Sequence, residues 1–216
     1  MAAVISALIK DDIMRIIHLT LVASLAAVTT VRASLYPIGA IPDGSPAGVS
    51  FVGTYDAAPA GSTVSSLTVS LNISGGFNGD LYAYLVSPNG TLVMLMTQPG
   101  VSLNGIGASG AGMNITLQDG LSDHGSIQDV TSSSFMTGSY NAAGSLVNFN
   151  GSQADGNWTL FFADLANGGG TSLVEGWSLN ITAVPEPVNL SLAIFGGGIG
   201  ILALRRFISP RKSVGE

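Results

Sequence analysis

The chain of 216 residues has no cysteine. Disulfide staples, thiolate metal sites and thiol nucleophiles are therefore excluded. Basic residues are scarce and confined to the ends. Lys10, Arg15 and Arg32 lie at one end, and Arg205, Arg206, Arg211 and Lys212 at the other. From Ser34 to Pro187 there is no Lys or Arg, against ten acids, and His124 is the one histidine. A segment without cations cannot neutralise phosphates, so nucleic-acid binding is excluded. Phosphoryl transfer is excluded with it, for want of a P-loop lysine or any other group to stabilise transferring charge. Charged residues make up only 9% of the chain and hydrophobic ones 46%, which rules out a disordered polyelectrolyte.

Each terminal region reads as an address. From Met14 the order is Arg15, the apolar run Ile16 to Val28, then Val31 and Ala33 at the −3 and −1 positions before Ser34. This is the layout of a secretory leader cut between Ala33 and Ser34, with an uncleaved N-terminal anchor as the alternative. Asp11 and Asp12 do not suit a basic n-region, which makes Met14 the expected start and 1–13 an extension. Residues 1–33 are thus assigned to extension and leader, with a signal helix. At the other end, Pro185-Glu186-Pro187 precedes an uncharged stretch, 188–204, and Arg205-Arg206. Seventeen apolar residues are just enough for a transmembrane helix, and a basic tail holds its own end on the cytoplasmic side. The two prolines keep the junction extended.

Between the addresses, 34–183 reads as one all-β domain. Leu67 to Ile73 alternates apolar and polar residues, the period of a strand with one face in a core. Strands are expected at 67–73, 81–86 and 92–96, the last two joined through Ser87-Pro88-Asn89-Gly90 as a hairpin. Further strands are expected at 49–53, 113–117, 145–149, 158–164 and 174–182. Eight short strands without an amphipathic helix between them predict a jelly roll or β-sandwich. Trp158 and Trp177 fall in strand patterns, which suits core packing with each indole N–H on a loop carbonyl. Asp80 and Asp164, where strands meet glycine-rich loops, suit corner positions that accept backbone N–H bonds.

The chemistry available is limited. A Ser/His/Asp hydrolase would need His124 as base, yet that residue lies in a polar loop and no Gly-x-Ser-x-Gly elbow is present. No spacing singles out a pair of carboxylates. Calcium, which takes six to eight oxygen ligands, is the better candidate, and Asp119, Asp123 and Asp129 with intervening carbonyls are the expected ligands of a structural Ca2+.

Two resemblances complete the reading. Pro185, Glu186, Pro187, the glycine-containing apolar stretch, Arg205 and Arg206 resemble the PEP-CTERM sorting signal of exopolysaccharide-producing Gram-negative bacteria. That resemblance implies recognition by an exosortase, transient anchoring in the inner membrane, and release to the cell surface or matrix. Gly79-Asp80-Leu81, Leu85 to Thr91, Gly138-Ser139-Tyr140, Phe149-Asn150-Gly151, Gly156 to Leu160, Asp164 and Trp177-Ser178-Leu179 resemble, in that order, the P domain of proprotein convertases over about 41–183. The resemblance implies a jelly roll of a kind that usually follows a subtilisin-like catalytic domain. No such domain precedes it in this sequence, and Asn141 to Gly144 departs from the Pro-containing turn common in the family. The implied function is an exported, non-catalytic surface or matrix protein with a structural or adhesive role, its partners being exosortase, export machinery and exopolysaccharide or surface proteins. The alternative is an accessory module acting on a separate subtilisin-like protease.

Overall fold

The computed structural model describes residues 29–32 and 37–185. In chain order the strands are β1 (Thr29–Arg32), β2 (Gly39–Ile41), β3 (Ser45–Tyr55), β4 (Ser62–Gly75), β5 (Leu81–Val86), β6 (Leu92–Thr97), β7 (Met113–Gln118), β8 (Met136–Asn141), β9 (Gly156–Asp164) and β10 (Ser172–Pro185). One four-residue helix, α1 (Val101–Asn104), and three 3-10 turns interrupt them. The strands form two sheets. Six of them make one sheet in the order β1-β10-β4-β7-β8, with β2 also on β10, and the other four run β3-β9-β5-β6.

The alternation seen in the sequence now has a physical cause. In β5, Leu81, Ala83 and Leu85 are buried while Tyr82, Tyr84 and Val86 are half-exposed, so one face meets the core and the other does not. Val69, Leu71 and Ile73 of β4 bury their side chains in the same core as Trp158, Leu160 and Phe162 of β9. Each large side chain removed from water in this way contributes about 1.5–3 kcal/mol. Trp158 lies edge-on to Phe149 at 5.2 Å between ring centres. Its indole N–H donates to the Ala154 carbonyl at 3.0 Å, and that of Trp177 donates to the Pro37 carbonyl at 3.1 Å. Both tryptophans are core residues whose polar edge is satisfied by a loop.

Seven of the eight expected strands are present, and the eighth is corrected. Residues 145–149 form a 3-10 turn, Leu146–Phe149, in place of a strand. The buried pair is Leu146 and Phe149, three residues apart, which is the period of a tight turn and not of a pleat. Conversely, the sequence reading gave no strand at Met136–Asn141. Yet β8 pairs in parallel with β7, Met113 opposite Met136 through Gln118 opposite Asn141. Only Met136 and Tyr140 of that strand are buried. Thr29–Arg32, placed by the sequence reading at the end of the leader, pairs antiparallel with Asn180–Ala183.

The hairpin between β5 and β6 forms, with Val86 opposite Leu92. Of its Asn-Gly pair only Gly90 takes a positive φ, +87°. Asn89 contributes instead through its side chain, which accepts from the Ser87 hydroxyl at 2.6 Å. The proposed signal helix, the stretch 188–204 and Ala33, Ser34, Glu186, Pro187, Arg205 and Arg206 lie outside the described residues; Pro185 closes β10. Among the described residues no helix is long and apolar enough to cross a membrane.

Candidate functional site

Three regions carry polar or aromatic groups that packing alone does not explain. The first is the outer face of the four-stranded sheet. Because β5 and β9 pair with Tyr84 directly opposite Phe161, both rings project from the face away from the core. They stack with 4.6 Å between ring centres and 12° between planes. Tyr82 stands edge-on to both, at 6.2 Å from Tyr84 and 6.4 Å from Phe161. Gly48 keeps space for this: a Cβ there would come within 2.4 Å of the Phe161 ring. Val52 on β3 and Leu92 on β6, each about half exposed, extend the apolar strip across the sheet. The result is an uncharged, half-exposed aromatic platform.

The second region holds Asp119, Asp123 and Asp129, the expected calcium ligands. Asp119 Oδ2 accepts from the backbone N–H of Val147 at 2.6 Å and from the Ser145 hydroxyl at 3.2 Å, which pins the start of the 3-10 turn Leu146–Phe149. Asp123 Oδ2 accepts from the Ser139 N–H at 2.9 Å and its hydroxyl at 2.8 Å. Those bonds, hydroxyl first, hold the Asp123 carboxyl below the usual carboxylate range. Asp129 ends the 3-10 turn Ile127–Asp129. Each acid serves a separate place in the loops. Among the described residues no three Asp, Glu, His or Cys side chains gather closely enough to hold a metal.

His124 belongs to this region too. Its ring stacks on Tyr140 with 4.8 Å between centres, beside a shallow surface groove of about 510 Å³ that Ser132 and Phe135 also line. Ser139 donates its hydroxyl to Asp123, so that hydroxyl is committed to a carboxylate.

The third region lies where β3, β5 and β9 meet their loops. Asp164, at the end of β9, has no exposed surface; its Oδ1 accepts from the Ala166 N–H at 3.2 Å while its Oδ2 has no partner. Burial raises its pKa, against the lowering effect of N–H bonds from Ala166 and Gly44. Asp80 opens β5, and its carbonyl accepts from the Leu165 N–H at 2.9 Å, tying the two strand ends together. Its carboxyl is pushed up to about 6 by burial first, then by the charges of Asp164 and Asp43. Gly79 before it has no room for a side chain, since a Cβ would lie 2.8 Å from the Ala108 nitrogen. The expectation that both acids are corner residues thus holds for Asp164 through its own carboxylate. For Asp80 the corner bond is made by the backbone. Sequence reading missed the outer platform altogether, although Tyr82, Tyr84 and Phe161 occupy the polar phase of their strands, and that misplacement was the available signal.

Two sheets packed face to face, with an aromatic outer face and acids engaged by backbone amides, define a β-sandwich module. The sequence profile of the proprotein convertase P-domain family matches residues 64–181, more than half of the chain. The chain belongs to the P-domain family, a non-catalytic module. No curated protein matches the sequence. Among solved structures, a serine protease of Aeromonas sobria shares 17% identity at a TM-score of 0.42, over 71% of this chain and 27% of that one. The complex of the same organism's serine protease with its chaperone shares 16% at 0.44, over 78% and 29%. The chain thus spans less than a third of the length of those proteins.

Proposed function

We propose that the protein is an exported, non-catalytic P-domain protein of the cell surface or extracellular matrix that acts by binding. The observation that carries this reading is the outer platform. Three half-exposed aromatic rings on an outer strand face, in a segment with no Lys or Arg from Ser34 to Pro187, suit apolar contact with uncharged sugar rings or a neutral protein surface. Within the sandwich, carboxylates are engaged by backbone N–H groups and the one serine hydroxyl bonded to Asp123 is not offered to His124. The leader 1–33 and the tail Pro185, Glu186, Pro187, Arg205 and Arg206 supply the route: export, inner-membrane anchoring as a precursor, then handover by an exosortase.

Two measurements test the reading. Tyr84→Ala and Phe161→Ala should leave the fold intact and lower retention on the cells' own exopolysaccharide or surface fraction at least tenfold; unchanged retention would remove the platform from the function. Replacing Glu186, or Arg205 with Arg206, should leave the protein in the membrane fraction, and normal release would reduce the tail to a plain anchor.

The family match also favours a second reading, an accessory module that stabilises or modulates a separate secreted subtilisin-like protease. Co-purification with such an enzyme, and loss of its activity on deletion of this chain, would select that reading over adhesion.

A further inference from the structure

We propose that the corner formed by Asp80 and Asp164 binds a hard divalent cation of the calcium class. A buried carboxylate oxygen without a partner is costly and calls for a compensating group. Asp164 Oδ2 is such an atom, on a residue with no exposed surface. Compensation by a basic side chain is scarce, because no Lys or Arg occurs anywhere from Ser34 to Pro187. The second acid, Asp80, is half-buried and precedes Leu81, which pairs with Asp164; burial raises both acids, and both feel the charge of Asp43. Two partly desolvated carboxylates at adjoining strand ends leave a region that a cation would stabilise.

The donors around the corner are all oxygens. Asn167 presents its amide oxygen at Gly44, close enough that a Cβ there would lie 2.0 Å from it. Asp43, exposed at the rim, is steadied by the Gly168 N–H at 3.3 Å from its Oδ1. Oxygen-only donors favour calcium over zinc, which takes nitrogen or sulfur. The two carboxylates alone do not complete a shell. The remaining places fall to water and to carbonyls of the run Gly168-Gly169-Gly170, a left-handed turn that only glycine adopts readily and that packs against Phe77 at Gly169. This corner is separate from Asp119, Asp123 and Asp129, and it is independent of what the outer platform binds.

The test uses the full-length chain purified in detergent at pH 7.5. Calorimetric titration with CaCl2 should show one saturable site, and the melting temperature in CaCl2 should exceed that in EDTA by about 5 °C. Both effects should vanish in Asp80→Asn and Asp164→Asn and persist in Asp119→Asn and Asp129→Asn. If Asp164→Asn does not fold, Asp80→Asn carries the comparison. No heat together with equal melts in calcium and EDTA would overturn the proposal. So would a calcium shift that survives Asp80→Asn, or one that disappears with Asp119→Asn. A melting temperature that rises on acidification while calcium adds nothing would assign the corner to a shared proton instead.

Discussion

Two sets of carboxylates occupy one cation-poor sandwich under opposite conditions. Asp119 and Asp123 lie on exposed loops, and each accepts backbone N–H and hydroxyl bonds, which for Asp123 favour the ionised form. Asp80 and Asp164 lie where strands end, desolvated and facing each other's charge, and both are raised. The contrast teaches how an acidic domain without Lys or Arg distributes its charge. Where loops can fold back amides, the carboxylate stabilises the fold; where strand ends bring acids together, ionisation opposes it.

The largest test of this contrast is the pH profile in chelator. Asp80 has a folded pKa of about 6, above its ordinary value of 3.8. Its protonated form stabilises the fold fully below pH 3.8, and that stability is lost as pH rises through 6. Urea unfolding should therefore show stability falling between pH 4 and 7 by roughly 2 kcal/mol, after allowance for solvent screening. In Asp80→Asn the fall should flatten, with the variant more stable than wild type at pH 8 and equal to it at pH 4. A wild-type profile that instead rises from pH 4 to 7 would break the comparison.

Asp119→Ala should cost about 1 kcal/mol at every pH above 5, because the Val147 N–H that opens the 3-10 turn loses its acceptor. An unfolding midpoint in urea equal to wild type would mean that water replaces the carboxylate without loss. The smallest effect is expected from Asp123. Its lowered carboxyl contributes stability above pH 3.8 that disappears as pH falls through its folded value. Asp123→Asn should therefore melt slightly below wild type at pH 5 to 7, and that gap should close as pH falls below 4, so that the variant loses less stability in acid.

Much of the sandwich was legible because its central strands obey a simple rule. Leu67 to Ile73 and Leu81 to Val86 alternate cleanly, and both lie within strands whose buried residues follow that phase. The rule failed where local pattern and tertiary role diverge. Leu146 and Phe149 look like part of a strand until the tight turn brings both to the core. Met136–Asn141 is too polar to suggest a strand, and it is held by its parallel ladder to β7. The platform escaped notice for a related reason. Alternation says which residues avoid the core, but only the register of β5 on β9 sets Tyr84 against Phe161.

The sequence by itself determined the charge landscape: ten acids and no Lys or Arg between Ser34 and Pro187, and hence no lysine or arginine salt bridge within that span and no phosphate chemistry. It also determined most strands and the satisfied tryptophans, because strand period and indole burial are local consequences of side-chain chemistry. The tertiary structure alone decided which acids meet. Asp43, Asp80 and Asp164 are as remote in sequence as Asp119, Asp123 and Asp129 are near. Yet antiparallel pairing of β9 with β5 brings Asp80 and Asp164 to adjoining strand ends, within the field of Asp43, while the loops send the near ones to separate bonds. Charge is written residue by residue, but its energy depends on distance and solvent, and those are set only when the strands pair.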